Sequence, residues 1–171
     1  MTTYRLILMR HATQTGSGDG SDHARTLTAV GCEEAVSVGL RLHALGFEPD
    51  RVLSSTATRC RQTWERLQPG LGTSPAIDFE DTLYNATADQ LLHAVAHEEP
   101  SGTLLVLAHN PGVSMFSLAL VRGHPESEKA LRGGFAPASF AVFEIDSEGD
   151  EPSGRNARLL HFERPTRCGC V

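Results

Sequence analysis

Residues 4–12 read Tyr4-Arg5-Leu6-Ile7-Leu8-Met9-Arg10-His11-Ala12, and a Gly, Ser and Asp cluster follows within a few residues. A short apolar run that stops at polar residues and a loop is the pattern of a buried strand. The same pattern recurs downstream, with helical periodicity between the repeats. Thr28 is a helix N-cap, and Ala35, Val38, Leu42 and Leu45 recur at three- and four-residue steps up to Gly46, which predicts a helix over 29–45. Arg51 to Ser54 is a short strand, and the polar turn Ser54-Ser55-Thr56 leads into a helix from Ala57 to Leu67, closed by Pro69-Gly70. Ala76 to Phe79 is the next strand. Thr87 and Gln90 form a capping box that opens a helix carrying Leu91, Leu92 and Val95 on one face. Thr103 to Ala108 is the most strand-like run; a helix from Val113 to Val121 follows it, with Pro111 suited to its first turn. Ser139 to Ile145 and Ala157 to Phe162 have no helical pattern between them and read as an antiparallel hairpin. Strands alternating with helices through residue 121 imply right-handed crossovers. The expected fold class is therefore α/β: a three-layer sandwich with a mostly parallel sheet, helices on both faces and an antiparallel edge.

The chain has 171 residues. At about 100–200 residues per domain this predicts one domain over 1–165, followed by a tail at 166–171. A hydrophobic fraction of 40%, a charged fraction of 21% and a mean hydropathy of -0.21 are ordinary globular values, so the chain can bury a core. No apolar run approaches the ~18 residues of a membrane span, and the apolar start is too short for a secretory signal. The expectation is a cytoplasmic protein with no membrane partner. A net charge of -6 argues against a nucleic-acid partner, because phosphate neutralisation needs a basic face. Lys129 is the sole lysine against fourteen arginines, so a bound anion would meet planar guanidinium forks. The four cysteines do not make a disulfide framework, and Cys168-Gly169-Cys170 reads as part of a solvated tail rather than as a metal site with His161.

Ligands of open α/β sheets bind beyond the carboxyl ends of the strands, so the residues just after strands carry the functional reading. Arg10 and His11 follow the first strand, Ser55-Thr56-Ala57-Thr58-Arg59 the second, and His109 the strand at 103–108. Two imidazoles and two guanidiniums at strand ends suit phosphoryl transfer: a ring nitrogen attacks phosphorus while arginines and a helix N-terminus neutralise the equatorial oxygens. This chemistry calls for no cofactor and no metal. Gly16-Ser17-Gly18-Asp19-Gly20 lacks the ending of a phosphate loop and reads as a turn. His93 and His97 stand at i, i+4 without a third ligand and read as solvent-facing.

These residues also carry a resemblance. Leu8-Met9-Arg10-His11-Ala12 resembles the Arg-His-Gly signature of the histidine phosphatase superfamily, and Ser54-Ser55-Thr56-Ala57-Thr58-Arg59-Cys60-Arg61-Gln62-Thr63 resembles its second motif. Val106-Leu107-Ala108-His109-Asn110-Pro111-Gly112 and Arg25-Thr26-Leu27-Thr28 with Gly31 resemble segments of its small phosphohistidine phosphatases of the SixA type. The resemblance implies a phosphoglycerate mutase-like fold. It implies His11 as the nucleophile, Arg10 and Arg59 as phosphate ligands, His109 as a hydrogen-bond donor to the phosphoryl oxygens, and Arg25 either at the pocket edge or in a structural ion pair. Arg61, two residues beyond Arg59, points about 200° away around the helix. Ala12 replaces the family glycine, which matters if that position needs positive φ.

Glu80 and Asp81 are the candidate proton donors, and both are equally readable as exposed loop acids. A sugar alkoxide leaving group needs an acid, whereas a phosphohistidine protonated on its other ring nitrogen releases neutral imidazole. With no long insertion between the motifs there is little material for a lid, so an open pocket is expected. The implied activity is a metal-independent phosphatase acting on phosphohistidine of a partner protein. The alternatives are a phosphatase of small phosphoesters, such as a sugar phosphate or nucleotide, and an inactive module that binds phosphorylated protein.

Overall fold

The computed structural model describes residues 3–18, 20–98, 102–146 and 151–165. The tail with Cys168 and Cys170, and Asp19 of the glycine-rich turn, lie outside the described residues. The elements run β1 (Thr3–Arg10), α1 (Ala29–Leu45), β2 (Arg51–Ser55), α2 (Thr58–Leu67), β3 (Ala76–Glu80), α3 (Ala88–His97), β4 (Thr103–Ala108), α4 (Gly112–Leu120), α5 (Pro125–Leu131), β5 (Phe140–Asp146) and β6 (Ala157–Glu163). Short 3-10 turns sit at Asp22–Ala24, Gln68–Gly70 and Asp81–Leu83.

The strands form one sheet in the order β3-β2-β4-β1-β5-β6. The first four are mutually parallel, β5 runs antiparallel to β1, and β6 antiparallel to β5. β1 is a continuous apolar run because both of its faces are covered. Leu6 and Leu8 pack with Leu91 and Val95 of α3 and Val113, Phe116 and Leu120 of α4, while Ile7 and Met9 pack with Ala35, Val38 and Leu42 of α1 and Trp64 and Leu67 of α2. This is the α/β sandwich expected from the sequence. α5 is the element that reading does not anticipate. It is seven residues long and buries only Leu131, so it has no apolar stripe to detect, although Pro125 and the first-turn acids Glu126 and Glu128 are helix-start signals.

The caps follow their residue types. Thr28 Oγ1 accepts the Gly31 amide at 3.0 Å, and Thr87 and Gln90 form the reciprocal capping box. Gly46 ends α1 in the left-handed region at φ 71. Gly31 is required for a different reason, close approach: a Cβ there would lie 2.0 Å from the Thr13 carbonyl oxygen. That same oxygen accepts the Thr28 amide, so the start of α1 is clamped onto the loop that follows His11. Replacing Gly31 by Ala gains about 1 kcal/mol of helix propensity, but a clash with backbone costing up to about 3 kcal/mol is expected to outweigh it, with a net loss of about 1–2 kcal/mol. Urea denaturation measures this; an equally or more stable Gly31→Ala protein would refute the clamp.

Candidate active site

Parallel pairing places Arg10 opposite Ala108, so the next residues, His11 and His109, leave neighbouring strands side by side. Their ring centroids are 5.2 Å apart at a 56° tilt. β2 lies on the other side of β4, and Arg59 in the first turn of α2 reaches His109, its Nη2 lying 3.1 Å from His109 Nδ1. Residues 10, 11, 59 and 109 therefore converge at the carboxyl end of the sheet. His11, Arg59 and His109 are each 3% exposed.

Each imidazole is held in one protonation state by its partners. His11 Nδ1 lies 2.8 Å from the Ala12 carbonyl oxygen, which can only accept, so Nδ1 carries the proton and the Nε2 lone pair is free. Burial, reinforced by Arg59, Arg10 and Arg25, pushes the His11 pKa down to about 4 despite the opposing bond to Ala12. The ring is neutral at pH 7. Arg59 can only donate, so His109 accepts at Nδ1 and carries its proton on Nε2, which lies 2.7 Å from Ser55 Oγ. Burial, then the neighbouring His11 and Arg59, bring His109 down to about 3. Cys60 Sγ is 3.6 Å from the same nitrogen, and burial pushes its thiol up to about 12.

The guanidiniums are incompletely satisfied. Arg10 Nη1 donates to the Phe135 carbonyl at 2.9 Å, but its Nε is buried without a partner, as is Arg59 Nε. An unmet buried donor costs about 1–3 kcal/mol, so two of them beside two neutral imidazoles mark a position for an anion. Among the described residues, no cluster of three or more His, Cys, Asp or Glu side chains is placed to hold a metal ion.

Ala12 is fully buried, is not among the positive-φ residues, and donates its amide to Thr63 Oγ1 at 3.1 Å. The missing glycine therefore introduces no backbone strain. Arg61 lies off the site as its helical position predicts, with Nε on the Thr56 carbonyl and its guanidinium 4.1 Å from the Phe79 ring centroid. Arg25 combines its two readings: it donates twice to the Thr15 carbonyl and once to Asp22, while its charge still reaches His11. Neither candidate proton donor bonds the cluster; Glu80 accepts from Thr82, and Asp81 accepts from Thr56 at 2.6 Å. His93 and His97 are exposed, with ring centroids 4.0 Å apart at a 51° tilt.

Two residues of the site lie outside the sequence-derived candidates, although Leu83-Tyr84 resembles the segment that follows strand β3 in small family members. Asp22 contributes its carbonyl to Arg59 Nη1 at 2.7 Å and its carboxylate to Arg59 Nη2 at 3.1 Å. Tyr84 stands edge-on to His109 with centroids 5.5 Å apart and donates its hydroxyl to the Asp22 carboxylate at 2.7 Å. Asp22, on a 3-10 turn, and Tyr84 thus border Arg59 and His109 without any inserted segment. No periodicity could reveal this, because Asp22 lies in a three-residue 3-10 turn and Tyr84 caps another.

The sequence model of the Histidine phosphatase superfamily (branch 1) matches residues 6–84. Solved structures of two proteins, each described as a putative phosphohistidine phosphatase SixA, superpose closely. The Nakamurella multipartitia protein is 30% identical with a TM-score of 0.82, covering 98% of this chain and 99% of that one. The Agrobacterium tumefaciens protein is 29% identical with a TM-score of 0.82, covering 95% and 98%. An uncharacterized protein of Mycobacterium leprae (strain TN) is 29% identical over 150 residues, 85% of this chain and 89% of the relative.

Proposed function

The chain belongs to the histidine phosphatase superfamily, and from that premise we propose that it is a phosphatase that works through a covalent phosphohistidine at His11, with phosphohistidine on a partner protein as its substrate. The observation that carries this reading is a neutral His11 with its Nδ1 proton fixed on the Ala12 carbonyl and its Nε2 left free, within the field of Arg59 and Arg10. Nε2 attacks phosphorus, the new N–P bond forms as the bond to the leaving group breaks, and Arg10 and Arg59 neutralise the equatorial oxygens. The Ala12 carbonyl holds the Nδ1 proton throughout, steadying the positive charge that develops on the ring. His109 already carries a proton on Nε2, and turning that N–H from Ser55 Oγ to a phosphoryl oxygen makes it a donor without any change of protonation state. Water then attacks phosphorus, releasing orthophosphate and restoring His11.

The choice of substrate rests on the acid. Asp22 is the one carboxylate bonded to the cluster among the described residues, and the Tyr84 hydroxyl, then Arg25 and Arg59, hold its pKa at about 2. An ionised carboxylate cannot protonate an alkoxide. A protonated phosphoimidazole leaves without help, which favours phosphohistidine over sugar or nucleotide esters. Steady-state kinetics on a phosphohistidine protein and a panel of small phosphoesters test this; a higher kcat/KM on any small ester would overturn the substrate assignment. A cytoplasmic setting remains part of the proposal; among the described residues no helix is long and apolar enough to cross a membrane.

Protonation of His11 removes the attacking lone pair, so kcat/KM, which reports the free enzyme, should fall in acid with a break near pH 4. An ordinary histidine would break near about 6.5. The profile is measured on p-nitrophenyl phosphate, because phosphohistidine itself decays in acid. A break near the ordinary value would remove buried, neutral His11 from the mechanism.

A further inference from the structure

We propose that Asp22 is a specificity-determining residue whose carboxylate competes with the incoming anion for the Arg59 guanidinium, so that a dianionic phosphoryl group displaces it and a monoanion does not. The inference rests on the reading of Arg59 as a phosphoryl ligand.

Asp22 meets Arg59 as an oxyanion would. A carbonyl oxygen and a carboxylate oxygen of one residue take both terminal nitrogens of the fork, at 2.7 and 3.1 Å. The Asp22 side chain is 47% exposed and that of Arg59 only 4%, so the carboxylate stands on the solvent side of the guanidinium, across the approach to it. Release does not strand the carboxylate. The Arg25 guanidinium at 3.1 Å and the Tyr84 hydroxyl at 2.7 Å still hold it, and water reaches it. Asp22 is thus a cover that can be exchanged without burying an unpaired charge.

Discrimination follows from charge. A monoanion at Arg59 replaces one negative charge by another and leaves the released Asp22 carboxylate facing it. A dianion engages Arg59 and Arg10 together and accepts from the Nε2–H of neutral His109, so its gain exceeds what Asp22 gives up. Because Asp22 stays ionised down to a pH of about 2, the competition operates in full at neutral pH.

Calorimetric titration of the intact protein with inorganic phosphate and with dimethyl phosphate, both at pH 8, tests this. Asp22→Asn keeps the size of the side chain and loses its charge; Asp22→Ser provides a second variant should the first fold poorly, with thermal melts reporting folding. The expected result is about tenfold tighter phosphate binding in Asp22→Asn, persisting in 0.5 M NaCl, together with measurable dimethyl phosphate binding that the natural protein lacks. Unchanged or weaker phosphate binding in folded variants would overturn the role of Asp22 while leaving the anion site intact. A gain that vanishes in high salt would also overturn it, since it would be a screened field effect rather than direct competition. Failure of both the natural protein and the variants to bind phosphate would overturn the anion-site reading itself.

Discussion

Substitution of His11 by Ala is expected to lower kcat by about 10^4-fold or more, and to abolish the acid-labile, base-stable phosphoenzyme that trapping with labelled substrate reveals in the natural protein. The size of the effect follows from the absence of a substitute. His109 is the other ring nitrogen in the cluster, and its Nδ1 lone pair is engaged by Arg59 while Nε2 is turned onto Ser55. Because His11 is buried and bonded to the Ala12 carbonyl, His11→Asn serves as a companion variant whose amide can keep that bond. Both variants should be inactive, and a folded His11→Ala protein within tenfold of the natural rate would sink the mechanism.

Arg59→Ala should cost about 10^3-fold in kcat/KM. Arg59 touches His109 and Asp22. Its loss therefore removes transition-state charge neutralisation and also frees His109 Nδ1 from its donor. Arg59→Lys should recover little, because a single ammonium cannot bond the Asp22 carbonyl, the Asp22 carboxylate and His109 in one plane. The signature of the double role is a change in both kcat and KM, with the acid break of kcat/KM shifted upward, since Arg59 is one of the charges that depress both imidazoles. Recovery of most of the activity in Arg59→Lys would mean that charge alone, rather than the fork, is needed.

Much of this site can be read from the chain by local rules. β1 and β4 are unmistakable as apolar runs because both faces of the central strands are covered by helices, and the first polar residues after them, Arg10-His11 and His109, are the ones the parallel register sets side by side. The angular offset of Arg61 from Arg59 follows from helix geometry alone and is confirmed by the stacking of Arg61 on Phe79. α5 escapes because a seven-residue helix with one buried side chain has no periodic signal. The Asp22–Arg59 contact escapes because it joins a 3-10 turn to a helix 37 residues away.

The sequence by itself determined the order of strands and helices, the capping residues and the types of side chain delivered to the strand ends, because each depends on residues within a few positions of one another. Tertiary structure decided which nitrogen of each imidazole is free, how far burial depresses both pKa values, and that Asp22 answers Arg59 across 37 residues of chain. Those properties arise from desolvation and from hydrogen bonds between segments that meet only when the sheet closes, so no local pattern records them.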